Sequence, residues 1–147
     1  MTYKIKAPSH IDTTINLPAS KSISNRALIL HALSGGKELP QNLSDCDDTE
    51  VIINALRDMP PTIDIKAAGT AMRFMTAYLS VTPGEHTITG TERMRHRPIR
   101  VLVDALRTLG ADIQYTDEEG YPPLHINGHS LEGGILTIPG DVSSQYI

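Results

Sequence analysis

The residues best suited to chemistry lie in Leu17-Pro18-Ala19-Ser20-Lys21-Ser22-Ile23-Ser24-Asn25-Arg26, where a short extended run gives way to an apolar helical pattern. A strand-to-helix junction with a lysine, three serines, an asparagine and an arginine suits an anion. The free backbone N–H groups and the positive end of the helix dipole add to the side chains. Two junctions repeat the design, Ala68 to Arg73 and Ser143 to Gln145; Arg26 and Arg73 each sit one turn into a helix. Ser and Thr also belong at helix starts as simple caps. Three such junctions, two with arginines, favour anion binding over capping. A further cationic run, Arg93-Met94-Arg95-His96-Arg97-Pro98-Ile99-Arg100, would ordinarily be a solvated turn. Here Arg97 precedes Pro98, read as the first residue of a helix, and its planar fork suits a carboxylate or phosphate.

Other chemistry finds less support. His125 and His129 are four apart on a strand-and-turn pattern, so they would not converge as helical metal ligands do. Asp45, Asp47 and Asp48 read as a helix start, with Asp45 as N-cap, and not as a calcium loop. Cys46 beside three aspartates is in the wrong electrostatic setting for an activated thiolate. No Ser–His–Asp set stands out, and Gly69-Thr70 is not followed by the Gly-Lys-Ser/Thr of a Walker loop.

Composition narrows the classes further. The 147 residues are one domain's worth of chain, with 39% hydrophobic and 20% charged residues. A net charge of −4, no Trp and one Phe disfavour a general nucleic-acid binder, so anion affinity must come from local clustering. No apolar run approaches the roughly 20 residues of a membrane span, and Met1 to Lys6 lacks a signal peptide's apolar core. A single cysteine excludes an intrachain disulfide framework and fits a reducing cytoplasm.

The elements that must position these groups read as follows. Tyr3 to Ile5 and Ile11 to Leu17 are expected as short strands. A helix is expected from Ser22 to about Leu33, with Ile23, Ala27 and Leu30 on its inner face, widened by Leu28 and Ala32 and stopped by Gly35-Gly36. Leu39 to Leu43 is a weak strand, and a helix carrying Ile52, Ala55, Leu56 and Met59 ends at Pro60-Pro61. Ile63 to Lys66 alternates like a strand, and a helix follows through Met72, Met75 and Leu79. His86 to Thr89 is a strand, and Ile99, Leu102, Val103, Leu106 and Leu109 mark a helix closed by Gly110. Ala111 to Tyr115, Leu124 to Asn127 and Ile135 to Ile138 read as strands. Helix pairs starting near Ser22/Asp47 and Thr70/Pro98 recur at a spacing of roughly 50 residues, as repeated supersecondary units do. A third round opens at Asp141, which points to a piece of a longer chain.

Four of these segments resemble, in order, the signatures of the 5-enolpyruvylshikimate-3-phosphate synthase family. Leu17 to Arg26 is similar to its lysine motif, and Ala68-Gly69-Thr70-Ala71-Met72-Arg73 to its second. Arg97-Pro98-Ile99 with Leu102 to Leu106 resembles the third, and Gly140-Asp141-Val142-Ser143-Ser144-Gln145 the Ser-Ser-Gln motif. The resemblance covers nearly all of this chain but only the N-terminal third of the family's. It implies an α/β enolpyruvyl transferase fold of repeated βαβαββ units, an inside-out α/β barrel. Residues 1–18 would be strands and hinge of a missing C-terminal domain. Residues 19–147 would be an incomplete N-terminal domain of about two units and the start of a third.

The resemblance also implies an activity: transfer of the enolpyruvyl group of phosphoenolpyruvate to the 5-hydroxyl of shikimate 3-phosphate, releasing phosphate, by a cytoplasmic, monomeric enzyme. No metal, organic cofactor, nucleic acid or membrane is implied. Lys21 would touch both substrates. Ser22, Arg26, Ser143 and Ser144 would hold shikimate 3-phosphate, Arg26 near its carboxylate. Gly69 and Arg97 would form the phosphoenolpyruvate pocket, and Gln145 would lie between the ligands. Thr70 and Arg73 are further candidates. The acid–base groups would lie later in the family's chain, leaving this segment inactive alone. Ala67 stands where the family usually has asparagine, and Phe74 where proline or smaller residues often follow. Both bear on pocket shape and on the response to phosphoenolpyruvate mimics such as glyphosate. One alternative is the sister enzyme acting on UDP-N-acetylglucosamine, whose lysine motif reads Lys-Asn; another is a non-catalytic anion-binding module.

Overall fold

The computed structural model describes residues 2–139. Along them run α1 (Lys21–Leu33), α2 (Asp47–Asp58), β1 (Thr62–Asp64), α3 (Gly69–Val81), β2 (Gly84–Thr89), the single turn α4 (Glu92–Arg95), α5 (Arg100–Thr108), β3 (Asp112–Tyr115) and β4 (Leu124–Gly128). The strands form one sheet in the order β1-β2-β4-β3. β1 and β2 are parallel, with Ile63 opposite Ile88, and β4 pairs antiparallel with both β2 and β3. Residues 62–128 are therefore one βαβαββ unit, with α1 and α2 preceding it.

Alternation decides which side of the sheet is buried. Ile63, Ile88, Ile113, Leu124 and Ile126 all turn to the helical side and are almost fully buried. Met72, Met75 and Leu79 of α3 and Leu102, Val103 and Leu106 of α5 complete the core. α3 is the central element, touching β2 and β4 as well as α1 and α2. Its two buried hydroxyls, Thr76 and Ser80, donate back to the Met72 and Thr76 carbonyls, each at 2.7 Å, so neither is left unpaired. Gly128 lets β4 reach the end of α3, since a Cβ there would run into the Leu79 and Thr82 carbonyls.

Helix α1 is buried by a different face from the one its apolar residues predict. Ile23 and Leu30 are 71% and 68% exposed, whereas Ser24, Asn25 and Leu28 face inward. Polar partners on the segment entering α2 decide this. Ser24 Oγ accepts from the Ser44 N–H at 2.8 Å, and Thr49 Oγ1 donates to Asn25 Oδ1 at 2.7 Å. Apolar residues lie all round α1, so buried hydrogen bonds set the rotation.

Four expected strands are not formed: Tyr3–Ile5, Ile11–Leu17, Leu39–Leu43 and Ile135–Ile138 lie outside the sheet. A strand needs a partner for its N–H and C=O groups, and β1 to β4 pair only with one another. The helix after Arg97 opens at Arg100, not at Pro98, because Ile99 stands at its N-cap with non-helical backbone (φ −131°, ψ 2°), its N–H donating to the Gly120 carbonyl at 2.9 Å. Cys46, not Asp45, stands at the N-cap of α2, without a side-chain cap. Asp47, Asp48 and Glu50 face that helix's dipole as expected.

Candidate functional site

Lys21 is the first residue of α1, and the Ser20 hydroxyl caps the helix by accepting from the Ile23 N–H at 3.4 Å. Lys21 Nζ lies 3.3 Å from Asp48 Oδ2, which ties the start of α1 to the start of α2. One turn on, Arg26 Nη1 donates to the Ser22 carbonyl at 3.2 Å, and its guanidinium lies over the Phe74 ring, 5.2 Å from the centroid. Asn25 points into the protein instead. Lys21, Ser22 and Arg26 are all exposed on one end of α1.

The second junction is built around Gly69, the buried first residue of α3. Neither a side-chain cap nor an acidic residue occupies the first turn of this helix, so its positive end is not offset locally. Arg73 Nη1 donates to the Gly69 carbonyl at 2.9 Å. Arg97 arrives from the link between α4 and α5 and lays its guanidinium against Gly69. A Cβ at Gly69 would stand 2.9 Å from Arg97 Cζ and closer still to Nη1. Only the missing side chain gives Arg97 this position. Along α3, Phe74 is five residues beyond Gly69, or about 8 Å at 1.5 Å per residue. Arg97 and Arg26 therefore both touch α3, at positions about 8 Å apart along its axis and about 140° apart around it.

A set of contacts that the sequence pattern did not single out fixes the two loops at this end. β1 and β2 are parallel, so the loops leaving them emerge side by side at their C-terminal ends, where open α/β sheets bind ligands. Asp64 takes the Lys66 N–H at 2.9 Å and Lys66 Nζ at 2.8 Å, holding Lys66 at a φ of +54°. The Lys66 carbonyl then accepts from the Thr91 N–H at 3.0 Å. Gly90 permits this approach, because a Cβ there would meet that same carbonyl. The loop before Gly69 is thus locked to the loop before Arg97. Gly90 directly after an expected strand was the available signal.

Two other arginines of the cationic run are paired elsewhere. Arg95 reaches Asp117 at 2.8 Å and Arg100 reaches Glu119 at 2.9 Å, while Arg97 is turned to α3. A cleft of about 360 Å³ beside the α2 start is lined by Asp47, Asp48 and Glu50, with Lys66 as its cation, so its field does not suit a dianion. His125 pairs with Glu85 at 3.1 Å, while His129 approaches the Gly110 carbonyl, so the two rings do not converge. Cys46 departs from expectation. Burial pushes its thiol up, but hydrogen bonds from Ser44, Thr49 and the Thr49 and Asp48 backbone outweigh this, and the net direction is down. Ser143, Ser144 and Gln145 lie outside the described residues.

The chain has relatives among known proteins. The EPSP synthase (3-phosphoshikimate 1-carboxyvinyltransferase) family model matches residues 5–64 and 59–147. A 3-phosphoshikimate 1-carboxyvinyltransferase of Bacteroides fragilis is 66% identical over 147 residues, covering 100% of this chain and 36% of the relative. One from Tolumonas auensis is 40% identical over 172 aligned residues, covering 99% and 40%. The chain thus spans little more than a third of the length of these curated relatives. A solved EPSP synthase from Acinetobacter baumannii superposes with a TM-score of 0.75 at 25% identity, over 90% of this chain and 35% of that one. The sheet and helices described above accordingly have the enolpyruvyl transferase fold. Matched by the family model over nearly all its length and 66% identical to the Bacteroides fragilis relative, the chain belongs to the EPSP synthase family.

Proposed function

We propose that the chain supplies one wall of a site that transfers the enolpyruvyl group of phosphoenolpyruvate to the 5-hydroxyl of shikimate 3-phosphate. The observation that carries this reading is Arg97 seated on Gly69 at the start of α3, with Lys21 and Arg26 displayed on the adjoining end of α1. Both substrates are polyanions and must meet at close range. Fixed guanidinium and ammonium groups, with helix N–H dipoles, offset their repulsion without reorganising when they bind.

In this assignment Arg97 grips phosphoenolpyruvate, and Gly69 leaves room for it. Arg26 holds the carboxylate of shikimate 3-phosphate, Ser22 a second polar group of it, and Lys21 stands between the two ligands. Ser143, Ser144 and Gln145 are assigned to the phosphate of shikimate 3-phosphate and the space between ligands on motif similarity. Thr70 and Arg73 contribute at the margin; Arg73 steadies the Gly69 carbonyl. In the reaction the 5-hydroxyl adds to C2 of phosphoenolpyruvate while C3 gains a proton. The tetrahedral adduct then loses a proton from C3 and expels phosphate, restoring the vinyl group. The residues of this wall bind and orient; the groups that move protons are assigned to the remainder of the enzyme.

The reading extends to a monomeric cytoplasmic enzyme without a metal or organic cofactor, and to inactivity of residues 1–147 alone. No helix among the described residues is long and apolar enough to cross a membrane. Calorimetric titration of the full-length gene product with shikimate 3-phosphate and, separately, with UDP-N-acetylglucosamine tests the acceptor. Saturable binding of the first and none of the second is expected; the reverse would overturn the assignment.

A further inference from the structure

We propose that Phe74 is a positioning residue for Arg26 and, through it, sets the affinity for the acceptor's carboxylate. The inference rests on the assignment of Arg26 to that carboxylate. Arg26 is exposed on α1, and a free arginine side chain there would sample many rotamers. Two contacts restrict it. Nη1 donates to the Ser22 carbonyl at 3.2 Å, and the guanidinium rests over the half-buried Phe74 ring at 5.2 Å. The ring's negative face attracts the cation without using any N–H donor. Among the described residues the Arg26 guanidinium makes no other hydrogen bond or ion pair, so its remaining donors stay available to an oxyanion.

Arg107 shows the contrast. It also lies over a ring, 4.9 Å from the Tyr115 centroid, but Nε and Nη2 both donate to the Ile113 carbonyl at 2.9 and 2.6 Å. Arg107 is a clip between α5 and β3, whereas Arg26 is stacked and still has donors to give. Phe74 sits on α3, the helix whose first residue carries Arg97. One helix thereby sets the spacing between the cation assigned to each substrate, and α3 is held from both sides by the core.

The test measures the Kd for shikimate 3-phosphate by calorimetry, and kcat and both KM values, in the full-length gene product. Phe74→Leu is expected to weaken shikimate 3-phosphate by about two- to fivefold, the size of an exposed cation–π contact. The KM for phosphoenolpyruvate and kcat should stay unchanged, and Phe74→Tyr should restore affinity. In an Arg26→Gln background Phe74→Leu should have no further effect on Kd. Unchanged affinity in Phe74→Leu would overturn the proposal, as would a full-sized Phe74→Leu effect in Arg26→Gln. Parallel losses in both KM values with a lowered Tm would show a packing role and overturn it too. Wild-type protein that does not bind shikimate 3-phosphate overturns the substrate assignment first, and is recognised before any substitution is made.

Discussion

Replacing Gly69 by Ala separates function from stability more cleanly than any other change in this wall. The new methyl would stand 2.9 Å from Arg97 Cζ and 3.0 Å from Nη2. Ordinary contact is about 3.5–4.0 Å and Nη1 is closer still, so the guanidinium must retreat by roughly 1–1.5 Å. The obstacle is the tip of a flexible side chain, so the fold itself need not move. Gly69 is the first residue of α3, where only part of the interior-helix gain of alanine over glycine, about 0.5–1 kcal/mol, applies, and Tm should shift by less than about 4 °C. The bound anion meets the displaced arginine, however. Losing a charge-assisted hydrogen bond costs about 1.5–3 kcal/mol, or roughly 10- to 150-fold in affinity. Steady-state phosphate release, with phosphoenolpyruvate varied at saturating shikimate 3-phosphate, should show that rise in the KM for phosphoenolpyruvate. The KM for shikimate 3-phosphate should hardly change. An unaltered KM for phosphoenolpyruvate, or equal rises in both, would refute the pairing of Gly69 with Arg97 as the phosphoenolpyruvate contact.

Two further predictions concern the scaffold. Thr49→Val leaves the buried Asn25 Oδ1 without the 2.7 Å donor it now has and should lower unfolding free energy by about 1–3 kcal/mol in urea; Thr49→Ser should recover most of it. The Lys66 side-chain hydrogen bond, foremost, holds the Asp64 carboxyl below the usual range, so Asp64 contributes stability above its unfolded pKa and loses it as pH falls through the lower folded value. Asp64→Asn should therefore flatten the acid limb of stability below about pH 4 while changing stability at neutral pH by less than about 1 kcal/mol, because the pair is partly solvated.

The sequence was most informative where one element's own pattern determines its environment. Leu102, Val103 and Leu106 are apolar at helical spacing with polar residues between, and all three are buried. The β3–β4 pair and the helix pairs around 21/47 and 69/100 were legible for the same reason. What depended on distant partners was not. Ser24 and Asn25 turn α1 inward only because Ser44 and Thr49 wait 20 and 24 residues away. Tyr3 to Leu17 has strand-like residues but, among the described residues, pairs with no strand. Pro98 looks like a helix start, but Ile99 after it takes the non-helical backbone of an N-cap and reaches across to Gly120.

The site divides along the same line. Lys21 and Arg97 stood out by residue type and spacing as candidates for an anion, and Gly69 by the family resemblance. That Gly69 and Arg97 touch, that Phe74 underlies Arg26, and that Gly90 lets two loops lock together are facts of tertiary approach with no local pattern. Cys46 was weighed by its neighbouring aspartates alone, whereas hydrogen bonds lower its thiol. Hydrogen bonds at the start of α2 act at shorter range than those charges.

The central claim is that this wall serves enolpyruvyl transfer between two anions. Its most direct test is phosphate release by the full-length gene product supplied with phosphoenolpyruvate and shikimate 3-phosphate, with the organic product checked by mass. The account predicts one phosphate and one enolpyruvyl shikimate 3-phosphate per turnover, saturable in both substrates and abolished when either is omitted. Phosphate released equally without shikimate 3-phosphate, or product formed only from UDP-N-acetylglucosamine, would contradict it.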